Sequence, residues 1–87
     1  MKAVITVIGK DMVGIMAKVS TACADANVNV VEVTQSILDK YFAMIMLVDI
    51  KDMNCSLEDL KNNIDSTVPT MTVHVMHEDI FNSMHRI

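Results

Sequence analysis

The sequence predicts an α+β sandwich: a four-stranded antiparallel sheet with two helices on one face, followed by a short C-terminal helix. Two observations carry that fold class. Segments rich in β-branched residues alternate with segments apolar at helical spacing, in the order β-α-β-β-α-β. The first and third strand segments are also apolar on both parities. That suits the central strands of a split β-α-β sheet, because right-handed crossovers put those two in the middle.

Lys2 to Ile8 is dense in β-branched residues and ends at Gly9. Ala3, Ile5 and Val7 share one face of this strand, and Val4 and Ile8 share the other. Ile15 to Ala26 reads as a helix, with Ile15, Val19, Ala22 and Ala26 on one stripe and Cys23 beside it. It ends near Asn27, a residue that tolerates left-handed geometry. Val28 to Leu38 is the second strand, and its parity breaks around Val30-Val31, which predicts a bulge. Asp39-Lys40 separates it from a third strand, Tyr41 to Ile50, giving an antiparallel hairpin.

Ser56 begins a second helix as its cap, with Glu58 and Asp59 in the first turn. Leu57, Leu60, Ile64 and Val68 form its stripe, and Pro69 stops it. Thr70 to His77 is the fourth strand. Glu78 to Ile87 has a short helical pattern, with Ile80, Phe81, Met84 and Ile87 apolar. The expected organisation is therefore one domain over residues 2–77 and a helical extension over 78–87. The helices explain one apolar face of the central strands. The other face needs either the C-terminal segment or a second copy.

Length and composition narrow the function. A chain of 87 residues supports one core. With 52% hydrophobic and 21% charged residues it is not a disordered segment. No apolar run approaches the roughly 18 residues of a membrane span. The opening Met1-Lys2-Ala3-Val4-Ile5 does not read as a secretion signal, so a cytoplasmic location is expected. A formal net charge of −4 repels phosphates on average and argues against nucleic acid. One tyrosine and two phenylalanines are too few for a base-stacking sheet. Nine methionines in so small and hydrophobic a body suggest an adaptable core and self-association.

Cys23 and Cys55 form no paired motif and read as free thiols. No base accompanies either, so no catalytic residue is assigned and enzymatic activity is not expected. His74 and His77 have opposite parity in one strand, and with His85 they read as a polar patch rather than a metal site. No cofactor is expected.

The sharpest local feature is Gly9-Lys10-Asp11-Met12-Val13-Gly14-Ile15, which joins the first strand to the first helix between the only two glycines. It is neither a Walker loop nor a dinucleotide fingerprint. By spacing alone it is a tight turn and a helix start. Unpaired N–H groups at that point favour a carboxylate or phosphate.

The stretch VIGKDMVGIMAKVS (residues 7–20), followed by ADANVNV (residues 24–30), resembles the ACT domain family. Its pattern matches at Gly9, Asp11, Gly14, Ile15 and the pair Asn29-Val30. The resemblance covers roughly residues 2 to 77. The closing residues 77–87 resemble the tail of short single-ACT proteins similar to the paired ACT units of the glycine-cleavage repressor family.

The resemblance implies a ferredoxin-like fold and a non-enzymatic regulatory domain that binds an amino acid between two copies of a homodimer. Mapped onto this sequence, the ligand residues are Asp11, Met12, Val13, Gly14 and Ile15 in the loop, with Asn27, Val28 and Asn29 opposite. N–H groups at Gly14, Ile15 and Met16 suit a carboxylate. Asp11, the Asn29 amide oxygen or a backbone carbonyl suits an ammonium group. Asn29 reads equally as a turn-to-strand residue, and Asp11 as an Asx turn. The alternative to sensing is an interaction module with no ligand that acts on a regulatory partner protein.

Overall fold

A computed structural model describes residues 1–10 and 13–84. The elements are β1 (Lys2–Gly9), α1 (Ile15–Asp25), β2 (Asn29–Leu38), β3 (Tyr41–Asp49), α2 (Leu57–Thr67), β4 (Thr72–His77) and α3 (Glu78–Met84). The sheet runs β2-β3-β1-β4, so the two strands apolar on both faces are indeed central. All three neighbouring pairs are antiparallel.

Pairing slips between Val30 and Glu32, so Val31 is the bulged residue. The slip returns Val30 and Val33 to the core side of β2, where they pack against the buried cluster. Leu38 pairs with Tyr41 across a two-residue turn, and Asp39 takes φ 56 there. Asn27 takes φ 58 just past α1. β4 begins two residues later than its apolar run suggests, because Met71 N–H donates to the Val68 carbonyl and holds the segment after Pro69 in a turn.

One face of the sheet makes the core. Ala3, Ile5, Val7, Met44, Met46 and Val48 are fully enclosed beneath Ile15, Val19 and Cys23 of α1 and Leu60 and Ile64 of α2. No polar side chain is buried among the described residues. Each large side chain removed from water contributes about 1.5–3 kcal/mol. Ser56 caps α2, its hydroxyl accepting from Asp59 N–H at 3.0 Å. Gly9 lies where Met71 crosses the end of β1, and a Cβ there would come within 2.5 Å of the Met71 sulfur.

The opposite face carries Val4, Thr6 and Ile8, then Ala43, Ile45 and Leu47, then Thr72, His74 and Met76. α3 follows β4 with no intervening residue and packs on β1 and β4. The C-terminal segment therefore covers part of this face. Val4 is enclosed, whereas Ile8 and Ile45 remain 46% and 42% exposed. No helix among the described residues is long and apolar enough to cross a membrane.

Candidate functional site

The loop between the glycines sits at the end of the sheet where β1 finishes. Gly14 is the N-cap of α1, in the left-handed region at φ 69. Only glycine enters that region without a steric penalty, so the sharp entry into the helix depends on it. Among the described residues beyond its chain neighbours, a Cβ there would meet only Lys18 Cε, at 3.8 Å.

Gly14 brings no capping side chain, and the first backbone bond of α1 is Lys18 N–H to the Gly14 carbonyl at 2.9 Å. The N–H groups ahead of Lys18 point to the end of the helix, where partial positive charge accumulates. Lys18 folds its stem back over the same corner and adds a formal cation. Sequence reasoning missed this residue, although its place four residues after Gly14 puts it one turn along the same face.

Of the loop residues named from sequence, Asp11 and Met12 lie outside the described residues. Val13 is 82% exposed, whereas Ile15 is buried in the core and offers only its backbone.

The second group surrounds the α1–β2 turn. Val28 is buried, so it too presents only backbone. Asn27 donates its side-chain amide to the Asp52 carbonyl at 2.9 Å. Asn54 binds back twice, by its N–H to the Ala26 carbonyl at 3.0 Å and by its amide to the Asp25 carbonyl at 3.1 Å. Asn29 is exposed. Asn27, Val28 and Asn29 line a shallow depression with Ala24 and Asp52.

Within one chain the two groups do not meet. Lys2 and Asn29 both pair with Asp49 at one end of the sheet, whereas Gly9 pairs with Phe42 at the other. Seven residue steps at about 3.3 Å separate those ends by roughly 23 Å. The sequence already held the signal, since a crossover helix between parallel strands must begin and end at opposite edges of the layer.

The remaining candidates are spread apart. His74 faces the side of the sheet that α3 partly covers and His77, paired with Ala3, the side of α1 and α2, while His85 lies outside the described residues. Both cysteines are free, and burial pushes the Cys23 thiol up to about 11.

Comparison with known proteins agrees with this architecture. The sequence matches the ACT domain family over residues 2–78. A UPF0237 protein of Clostridium perfringens is 48% identical over 89 residues, with 100% of both chains covered. The solved ACT domain protein from Streptococcus pneumoniae superposes with a TM-score of 0.78 at 33% identity, covering 98% of each chain. A chain provisionally assigned as a glycine cleavage system transcriptional repressor shares the fold, with a TM-score of 0.59 at 20% identity over 85% of this chain and 43% of that one. The split β-α-β sheet thus recurs in a solved structure matched over nearly its whole length, a relative covered end to end shares nearly half of its residues, and the chain belongs to the ACT domain family.

Proposed function

We propose that this regulatory domain senses an amino acid as a homodimer in the cytoplasm, with the ligand held at the seam between two copies. The carrying observation is the separation of the Gly14 corner from Asn29 along the sheet. Among the described residues, the Gly14 corner offers donors suited to a carboxylate and the Asn29 side offers oxygens suited to an ammonium group. A two-fold axis perpendicular to the strands sets the Gly14 corner of one copy beside the Asn29 end of its partner, and does so twice.

β2 suits such a seam. It is an edge strand of ten residues whose outer side pairs with no strand among the described residues. Antiparallel pairing of two such edges gives every outward N–H and C=O a partner and removes an aggregation hazard. The ligand carboxylate then takes the open N–H groups at the start of α1, with Lys18 supplying charge. Its ammonium group takes oxygens from the Asn29 side, and its side chain lies against Val13.

A thermal-shift screen of the amino acids tests this. A ligand at about 100 times its Kd adds about 2.7 kcal/mol, which raises the midpoint of a domain this size by roughly 10 °C or more. If no amino acid at millimolar concentration moves the midpoint, sensing fails and a ligand-free interaction module takes its place. A monomer by light scattering at micromolar concentration, with ligand present, refutes the seam.

A further inference from the structure

Away from that seam, a cavity of about 530 Å³ lies between the open sheet face and α3. Ile8, Ala43, Ile45 and Met76 form its floor, and Phe81 and Met84 come down from α3 as its roof. α3 buries none of its own residues, so it spans the face without packing flush on it. Two polar side chains line this apolar space, one half-buried and one exposed. Thr6 and His74 are direct cross-strand partners on β1 and β4 and line the cavity side by side. Among the described residues neither has a hydrogen-bond partner. Among the described residues no carboxylate side chain lines the cavity.

We propose that this cavity is a second ligand site, for a small apolar carboxylate. The size lies within the range of small-molecule pockets, and a few convergent polar groups in an apolar wall are what orient a ligand. A hydroxyl and an imidazole N–H donate together to one oxygen-bearing head group, with no carboxylate side chain among the described lining residues. The hydrocarbon body takes the space between Ile45 and Phe81. A flat second sheet does not fit here, because α3 stands over β1 and β4, and packed sheets need faces about 10 Å apart. The site is independent of the amino-acid seam and shares no residue with it.

The test uses the full chain with methyl-labelled methionines, titrated with octanoate and, separately, 1-octanol. Octanoate shifts the Met76 and Met84 methyl signals saturably and leaves Met44 and Met46, on the core side, unmoved. 1-Octanol binds roughly tenfold more weakly, as loss of a charge-assisted bond requires. Ala43→Phe fills the floor and abolishes the shifts. His74→Ala, at an exposed position, keeps the fold and removes the preference for octanoate over octanol.

Unmoved Met76 and Met84 signals overturn the proposal. So do shifts that follow protein dilution instead of octanoate, which assign the face to a second copy. Equal movement of all the methionines, the mark of non-specific adsorption, overturns it as well. Amino-acid shifts at residues 13–16 and 27–29 report the seam separately.

Discussion

Replacing Gly9 with alanine isolates one contact. A Cβ at this position would stand 2.5 Å from the Met71 sulfur, 3.1 Å from its methyl carbon and 3.3 Å from its Cα. Ordinary carbon contacts begin near 3.5 Å, so the overlap with the sulfur is about 1 Å. Met71 is only 7% exposed, so its sulfur can move only by displacing core neighbours. Overpacking of this kind destabilises by about 1–3 kcal/mol. In a domain of this length that lowers the thermal midpoint by roughly 5 to 20 °C.

The cause is separable from glycine's backbone freedom by a double-mutant cycle. Met71→Ala alone removes packing and destabilises by about 2–5 kcal/mol. Once the Met71 side chain is gone, the alanine at position 9 meets little, so the double variant falls short of additivity by at least about 1 kcal/mol. Urea denaturation followed by circular dichroism measures all four corners. Additivity within about 0.5 kcal/mol would show that Gly9 is required for its backbone and not for the space beside it.

The other expectations follow from single features. Gly14→Ala destabilises by about 1–2 kcal/mol through its positive φ, and Gly14→Asn by less; equal losses in denaturant melts refute the conformational account. Ser56→Ala removes the α2 cap and lowers stability by about 1 kcal/mol, which a shift in urea midpoint at constant slope would register. A thiol reagent titrates Cys55 quickly and Cys23 only with unfolding, since burial holds Cys23 as the neutral thiol. That thiol also gives a pH dependence. Its pKa rises from 9.0 to about 11 on folding. The unfolded chain therefore loses this proton first, and the thiol's contribution, complete below pH 9.0, is lost as pH rises towards about 11. Denaturant melts of wild type and Cys23→Ala across that range diverge below it and converge above; parallel curves would contradict the assignment.

Most of the fold was legible because local signals agreed with the global arrangement. The double-sided apolarity of β1 and β3 placed them centrally, and the parity break at Val30-Val31 marked the bulge. Asn27 marked the end of α1 through the backbone angle that it tolerates. The site was less legible. The sequence names which residues flank a loop, but Ile15 and Val28 carry core side chains, so only their backbone is available to a ligand. Adjacency in a motif does not by itself say that Gly14 and Asn29 stand at opposite ends of the sheet; only the crossover between parallel strands implies it. The cavity under α3 was not legible at all. It depends on how far a seven-residue helix stands off the strands beneath it, and no periodicity encodes that distance.

The three hydrogen bonds that tie Asn27 to Asp52 and Asn54 to Asp25 and Ala26 have a thermodynamic consequence. They join the turn before β2 to the loop before α2, so the backbone presenting Asn29 is already ordered before anything docks on it. Association at that corner sacrifices little chain entropy, and preorganisation of this sort improves affinity without adding a contact. Loosening the tie with Asn54→Ala therefore weakens whatever binds beside Asn29, even though Asn54 itself need never touch it.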